Sequence, residues 1–369
     1  MLGRDAGGRA YNDAMNRLPL HDAHVAAGAK LGTVGDWELP LDYGDAAAEY
    51  AAVRTGAGLV DRGDRGVLEI TGKDRAKFLH AMVSNDVASL QPGQGTAATF
   101  LDVHGKVQVV LDLWALDDRI LMLTPPGMSE KTLADFDKFL FSEKADFRDA
   151  TGELAMLVLV GPASLSLAEG LVGATPADAA WSHITGRIGS AEVRIVRGAG
   201  ETGEPEVWLV ATAADGPVLW RAALDAGARP VGRTAMESLR VEAGTAVFGQ
   251  DVDDTVLLPE IPFTHLVSYT KGCYIGQEVV VRIRDRGHVN RLLTGLRLDG
   301  AEIPPPGAEV RMGPDTVGRV TSATWSFGLD APIALAFIRR QHAAAGTIVS
   351  VQAGDRPLGA VVSALPFAR

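Results

Sequence analysis

Apolar residues recur along the chain with the short periods of strands and small helices. From Lys106 to Trp114 every second residue is apolar, which predicts a strand with one buried face. The preceding run, Ala97 to Leu101, and the polar turn Asp102-Val103-His104-Gly105 between them predict a hairpin. The longest apolar runs, such as Leu154 to Val160, are strand-sized. The pattern therefore favours a fold rich in short strands.

The order of these elements predicts three domains. Val67 to Ala150 reads as strand, helix, hairpin, strand and helix, which indicates a compact α+β unit. Beyond Arg286 the chain becomes short apolar runs broken by turns such as Pro304-Pro305-Pro306-Gly307, which predicts a small β-barrel. A chain of 369 residues also exceeds the size of one hydrophobic core. We expect a discontinuous first domain, an inserted α+β domain and a C-terminal β-rich domain, at residues 1–66 with 151–285, 67–150 and 286–369.

Composition and charge exclude several classes of function. Hydrophobic residues make up 47% of the chain and charged residues 22%, which is an ordinary globular balance. The net charge of −11 argues against direct nucleic-acid binding, because a phosphate backbone requires a basic surface. No apolar run approaches a membrane span, and the N-terminus lacks the apolar region of a secretory signal. We therefore expect a cytoplasmic protein with neither nucleic-acid nor membrane partners.

The single cysteine lies in the most distinctive segment of the sequence, Lys271 to Glu278. One cysteine rules out an internal disulfide and a four-cysteine metal site, and no other pattern predicts bound metal. The lysine, and a helix expected to begin near Gly276, place positive potential beside Cys273 and favour its thiolate. Four arginines then form a cationic cluster, namely Arg282, Arg284, Arg286 and Arg291. The alternative interpretation is a solvated helix face with an inert cysteine.

Two family resemblances follow from these residues. Lys271 to Glu278, with Arg282, Arg286 and Gly287, resembles the K-G-C-Y-x-G-Q-E and R-x-x-x-R-G signature of the YgfZ family, and the turn from Asp102 to Lys106 matches its D-x-x-G-K. From Leu18 to Pro366 the chain resembles the broader aminomethyltransferase superfamily. That resemblance rests on five segments, which are Gly35–Pro40, Ser84–Asp86, Gly200–Glu204, Arg240–Gly244 and Gly318–Ser322.

The resemblance implies an α+β fold in which three domains form a ring around a central channel for tetrahydrofolate or a one-carbon derivative. The inserted domain would be ferredoxin-like and the last a β-barrel. The family's pterin-binding glutamate maps onto Glu204, whereas Arg240 and Glu242 read as an internal ion pair. Cys273 would be a functional thiol. The other residues that we assign to folate binding are Lys106, Lys271, Tyr274, Gln277, Glu278, Arg282 and Arg286.

The chain departs from the transferases at several ligand-facing positions. Their catalytic aspartate falls on Val110, while Asp112 lies on the same strand face about 6.6 Å farther along, which we judge too far to replace it. Their F-D-V-S-H-M-G segment is Val60 to Gly66, and the tyrosine of G-Y-T-G-E is Glu201. Glycine cleavage is therefore disfavoured.

Three functions remain open. The YgfZ resemblance implies a folate-binding accessory protein for iron–sulfur enzymes, including tRNA-modifying ones, with iron–sulfur carrier or client proteins as partners. The second hypothesis is a folate-dependent aminomethyl or methyl transferase that uses Asp112 or Cys273. The third is a folate store or scaffold without catalysis.

Overall fold

A computed structural model describes residues 15–354 and 356–368. The described part of the chain begins with a small sheet in which the strand Trp37–Asp42 lies between Asn16–Arg17 and Lys30–Val34, followed by a helix and the first strand of a larger sheet. Asp45 caps this second helix, because its carboxylate accepts hydrogen bonds from the N–H groups of Ala47 and Ala48. The elements are β1 (Asn16–Arg17), α1 (His21–Ala26), β2 (Lys30–Val34), β3 (Trp37–Asp42), α2 (Ala46–Thr55) and β4 (Gly58–Asp61).

The next segment forms an antiparallel five-stranded sheet of its own, in the order β6-β7-β8-β5-β9. Its elements are β5 (Gly66–Thr71), α3 (Arg75–Met82), β6 (Gly95–Leu101), β7 (Val107–Ala115), β8 (Ile120–Thr124), α4 (Ser129–Asp137) and β9 (Asp146–Asp149). The predicted hairpin is β6 and β7. Phe78 of α3 and Phe136 of α4 pack with Leu111 of β7 in one apolar cluster, so the two helices cover one face of the sheet.

The chain then returns to the sheet that β4 began. Its elements are β10 (Leu154–Val160), α5 (Ser164–Val172), β11 (His183–Ile188), β12 (Ala191–Arg197), β13 (Glu206–Thr212), α6 (Gly216–Asp225), β14 (Arg229–Pro230) and α7 (Arg233–Ala243). The six strands lie in the order β11-β12-β13-β10-β4-β14. One sheet thus combines strands from before and after the five-stranded segment, while the domain boundaries given above stay a prediction.

The last segment is a closed six-stranded barrel, in the order β15-β18-β17-β16-β19-β20. Its elements, with the helix before it, are α8 (Gln277–Arg286), β15 (Arg291–Leu298), β16 (Glu309–Met312), β17 (Asp315–Ser326), β18 (Ala331–Arg339), β19 (Ile348–Ala353) and β20 (Arg356–Ser363). Ala334, Ala336 and Ile338 belong to the cluster that fills the barrel. Leu335 and Phe337 alternate with them and pack instead against the rest of the molecule.

Two buried residues of α7 fix the barrel. Arg240 donates hydrogen bonds to Asp251 (2.8 Å) and to Ser322 on β17 (2.7 Å). Glu242 accepts hydrogen bonds from Ser326 on β17 (2.5 Å) and from Arg54 on α2 (2.6 Å). Arg240 and Glu242 do not pair with each other, because residues two apart on a helix do not face each other. No helix within residues 15–354 and 356–368 is long and apolar enough to cross a membrane.

Candidate functional site

Two adjoining cavities lie where the sheets and α7 meet. The aromatic cavity, about 190 Å³, is lined by β7, β13 and the loops at 245–252 and 261–266. The charged cavity, about 210 Å³, is lined by the first sheet, β4, α7 and the loop at 245–252. Arg62, Glu201 and Phe248 line both cavities. The two spaces together therefore form the candidate ligand site.

Large flat side chains form one wall of the aromatic cavity. Trp181, Trp208, Phe248 and Phe263 line it, and Trp114 packs behind with its ring centroid 6.0 Å from that of Trp208. The Trp208 Nε1–H group is buried and has no hydrogen-bond partner among the described residues. Flat apolar walls with an unused donor suit a planar ligand that carries a hydrogen-bond acceptor.

Glu206 introduces a buried carboxyl group into the aromatic cavity. Burial, reinforced by the nearby negative charge of Glu201, raises the pKa of Glu206 to about 8. The side chain lies beside Gly198, where an added Cβ would come within 2.6 Å of the Glu206 Cβ. Glycine at that position thus makes room for a carboxyl group that is mostly protonated at neutral pH.

Glu201 has the opposite electrostatic environment. Burial alone would raise its pKa, but the charges of Arg62 and Arg233 outweigh this and lower it. Arg62 Nη1 donates to Glu201 at 2.8 Å, and the buried Arg62 Nε makes no hydrogen bond within the described residues but forms an ion pair with Asp64 at 3.9 Å. The site therefore holds one ionised and one protonated glutamate, an arrangement that can supply both a hydrogen-bond acceptor and a donor.

Asp112 also lines the aromatic cavity, next to Val110 on the same face of β7. Both residues line the cavity at the predicted two-residue separation, so whether Asp112 can take the place of the family's aspartate stays a prediction. Arg65 Nη2 donates to the Asp112 carboxylate at 2.8 Å. Burial raises the pKa of Asp112 and the Arg65 charge only partly opposes it. A carboxylate thus faces the cavity although the family's aspartate position holds valine.

Sequence reasoning noted Arg62 and Glu201 only as departures from the transferases. The structure shows that they pair with each other across the site, although they lie 139 residues apart in sequence. Two departures of opposite charge in one family pattern are a signal from which this contact could have been predicted. Nothing in the sequence pattern indicated that Glu206 and Trp208 line the aromatic cavity.

Glu204, the predicted pterin ligand, lies elsewhere. It forms a salt bridge with Arg54 (2.6 Å), and its side chain lines neither cavity. Its role in folate binding stays a prediction, whereas Glu201 and Glu206, on either side of it in sequence, both line the cavities.

Lys271 ties its motif to the end of α3. Its ammonium group donates hydrogen bonds to the backbone carbonyls of His80, Val83 (2.7 Å) and Asn85 (3.1 Å). These carbonyls lie at or just beyond the C-terminus of a helix, where a positive charge is favoured. Burial lowers the pKa of Lys271 to about 8. Its visible contacts are therefore structural.

The two segments that resemble the YgfZ family pack directly on each other. Gly276 has φ +80°, and a Cβ there would lie 2.4 Å from the carbonyl oxygen of Asp102 and 3.2 Å from the Cα of Gly105. A Cβ on Gly105 would in turn lie 3.0 Å from the Cβ of Val279. Close backbone approach between turn and motif thus explains both glycines.

The remaining motif residues lie outside the two cavities. Cys273 is exposed, and Tyr274 is buried with a hydroxyl that has no partner among the described residues. α8 begins at Gln277 with Gly276 as its N-cap, as predicted. The other residues that we assigned to folate binding also line neither cavity, and their roles stay predictions; they are Lys106, Gln277, Glu278, Arg282 and Arg286. Within the described ranges no group of three or more His, Cys, Asp or Glu residues is placed to hold a metal ion.

Comparisons with known proteins agree with this architecture. Residues 20–271 match the GCVT N-terminal domain, and residues 291–368 match the glycine cleavage T-protein C-terminal barrel domain. The aminomethyltransferase of Rubrobacter xylanophilus is 32% identical over 96% of this chain and 95% of its own. The probable aminomethyltransferase of Natronomonas pharaonis is 33% identical, over 95% and 98%.

A solved structure shows the same fold. The glycine cleavage system aminomethyltransferase T from Bartonella henselae superposes with a TM-score of 0.87 at 23% identity, over 96% of this chain and 98% of that one. The aminomethyltransferase-like fold with a terminal barrel, predicted from the sequence, is confirmed. The chain therefore belongs to the glycine cleavage T-protein (GCVT) family.

Proposed function

We propose that this chain binds tetrahydrofolate in the two adjoining cavities and catalyses folate-dependent one-carbon transfer. The names of its relatives match this hypothesis more closely than the accessory role in iron–sulfur metabolism. The observation that carries the proposal is Asp112, a buried carboxylate paired with Arg65 inside the aromatic cavity. A folate store would not need a proton acceptor there.

The side chains present fit a reduced pterin. Trp181 and Trp208 offer flat apolar surfaces, and the buried Nε1–H of Trp208, which makes no hydrogen bond within the described residues, is a donor that needs an acceptor. Glu206, with its raised pKa, can share a proton with a ligand nitrogen or oxygen. A ring with amide and amino groups would satisfy these atoms.

Tetrahydrofolate, when bound, would supply the nitrogen that accepts the one-carbon unit. Asp112 would take up a proton at its carboxylate, and its raised pKa makes it a better base than an ordinary aspartate. Arg65 orients that carboxylate and limits its protonation at rest. The aromatic wall excludes water and strengthens these electrostatic interactions.

The two glutamates near the site give a direct test of folate binding. Glu206→Ala should weaken tetrahydrofolate binding by about 1–3 kcal/mol, because a buried hydrogen-bonding group is lost. Glu204→Ala should leave the affinity near that of the wild type, because Glu204 pairs with Arg54 outside the cavities. Titration calorimetry at pH 7 measures both. The opposite order would return the pterin contact to Glu204, and no measurable binding by the wild type would reject the proposal.

The exposed thiol of Cys273 keeps the accessory role as a second candidate function. If transfer is the only function, Cys273→Ser should leave folate affinity and turnover unchanged, because the thiol lines neither cavity. Under the accessory hypothesis, the same variant should fail to restore the activities of iron–sulfur enzymes in a deletion strain. Complementation of the deletion strain with Cys273→Ser and with Asp112→Asn separates the two hypotheses. The accessory hypothesis predicts the defect in Cys273→Ser, whereas the transfer hypothesis predicts it in Asp112→Asn.

A further inference from the structure

Asp112 needs a route by which the proton that it takes up can leave the site. Its side chain is buried and paired with Arg65 at 2.8 Å, and aromatic side chains form the wall beside it. A carboxylate that accepts a proton in each turnover has to lose it before the next one. A second proton-accepting group between Asp112 and the solvent would meet this need.

His265 connects the aromatic cavity with the solvent. Among the described residues that line this cavity, it is the one titratable side chain that is exposed. Asp112 and Glu206 are buried, and Glu201 is half-buried and paired with Arg62 at 2.8 Å. Arginine side chains stay protonated and cannot accept a proton. His265 is therefore the residue of the cavity wall that can exchange protons directly with bulk water.

The backbone around His265 is fixed by contacts with the segment that follows α3. The carbonyl oxygen of His265 accepts a hydrogen bond from Asn85 Nδ2 at 2.9 Å. The next carbonyl, of Leu266, accepts one from Ser84 Oγ at 2.5 Å. The imidazole ring itself packs against Phe263, with the two ring centroids 5.6 Å apart. These contacts hold the ring at the cavity without using its nitrogen atoms.

The imidazole ring has the properties of a proton acceptor. Its nitrogen atoms form no hydrogen bond with any residue in the ranges 15–354 and 356–368. Partial burial lowers the pKa of His265, so the ring is mostly neutral at neutral pH. The negative charge of Asp112 acts in the opposite direction, which places the two groups within electrostatic range of each other. The other charged side chains of this cavity add nothing to the shift; they are Arg62, Arg65, Glu201 and Glu206.

We propose that His265 carries the proton from Asp112 to the solvent in each turnover. This inference rests on the proposed function, in which Asp112 accepts that proton. Asp112 and His265 line the same cavity but share no direct hydrogen bond, so a water molecule between them would complete the path.

The proposed steps conserve atoms and charge. Asp112 takes the proton that the folate nitrogen loses as this nitrogen binds the one-carbon unit. The donor keeps the electron pair of the bond that breaks and takes up a proton from the solvent. Asp112 then passes its proton through the water molecule to a nitrogen atom of His265, and the imidazolium releases it to the solvent. Both side chains thereby return to their starting states.

Turnover of histidine variants tests this role. His265→Gln should lower kcat by about 10- to 100-fold, because glutamine cannot take up a proton, and should leave the affinity for tetrahydrofolate near that of the wild type. Imidazole added to the assay should restore part of the turnover of His265→Ala, because the free base can enter the vacated space. His342→Gln is the matched control and should keep wild-type turnover, because His342 follows β18 on the barrel and lines neither cavity.

Three outcomes of these assays would overturn the proposal. Wild-type turnover of His265→Gln would show that the proton leaves by another route. A raised KM with an unchanged kcat would make His265 a binding contact. A loss of turnover that imidazole does not restore in His265→Ala would make its role structural.

A measurement that needs no turnover separates this proposal from the proposed function. NMR titration should give His265 a lower pKa in Asp112→Asn than in the wild type, because the variant lacks the negative charge that favours the imidazolium. If the wild type catalyses no one-carbon transfer, the proposed function fails, and this titration still tests the link between the two side chains. A lower pKa in the variant would support the proton path, and an equal pKa in both proteins would overturn it.

Discussion

Replacing Asp112 by asparagine should lower the rate of one-carbon transfer by about 10²- to 10⁴-fold, the usual contribution of a positioned proton acceptor. Asparagine has nearly the same shape and can still accept a hydrogen bond from Arg65, but it cannot take up a proton. We therefore expect the loss in kcat and little change in tetrahydrofolate affinity. Turnover with a donor of a methyl or aminomethyl group measures kcat. Calorimetry on the same preparations measures the affinity for tetrahydrofolate.

The control for this experiment is Glu69→Gln. Glu69 pairs with Arg148 at 2.7 Å on β5, in the same sheet as Asp112, and lines neither cavity. Both variants thus remove a carboxylate that an arginine contacts, although Arg148 keeps its ion pair with Glu153 at 2.5 Å, and only Asp112→Asn changes the site. A decrease of equal size in both would mean that activity follows stability. Turnover of Asp112→Asn within about threefold of the wild type would exclude Asp112 as the proton acceptor.

Replacing Glu206 by glutamine should remove a large part of the pH dependence of stability. The pKa of Glu206 is raised from 4.5 to about 8 in the folded protein, so between these values the folded state binds more protons than the unfolded state. The free energy of unfolding of the wild type should therefore fall as the pH rises through this window. At about 1.4 kcal/mol per pKa unit, the loss is at most about 5 kcal/mol. Glutamine cannot ionise, so the variant should be more stable than the wild type at pH 8.5 and similar to it at pH 5.

Denaturant unfolding at several pH values between 4.5 and 8.5 measures this difference. Glu201→Gln provides a control of opposite sign, because nearby arginines lower the pKa of Glu201. Its ionised form stabilises the fold above the unfolded pKa and loses this effect in acid, so that variant should be less stable than the wild type at neutral pH. If the Glu206→Gln and wild-type curves run parallel, Glu206 is ionised in the folded protein at neutral pH.

Elements that depend on neighbouring residues could be predicted from the sequence. The alternation after Lys106 gave the β6–β7 hairpin, and the glycine before Gln277 gave the start of α8. The pairing of β4 with β10 had no local signal, because it joins segments about one hundred residues apart and depends on the whole sheet. Strand patterns set which side chains share a face, whereas strand order follows from tertiary packing.

The site was predictable only in part, for a related reason. The sequence placed Val110 and Asp112 on one face of β7 at the right separation. Whether Asp112 reaches the ligand depends on how far the cavity extends along that strand, and the loops at 245–252 and 261–266 decide this. The same limit applies to Glu204 and Glu206, since both follow the same glycine-rich turn and only the three-dimensional structure shows which one is enclosed.

The contact between Gly105 and Gly276 has a consequence for how related sequences are sorted. Because neither position has room for a Cβ, a mutational scan should reject larger residues at both, even under selection for folding alone. Natural variants should accordingly change the two segments together. Two motifs that occur together for this reason reflect a steric constraint where the turn at Gly105 packs on the segment at Gly276. Chains grouped by these motifs share that contact, and the reaction each one catalyses has to be read from the residues that line its cavities.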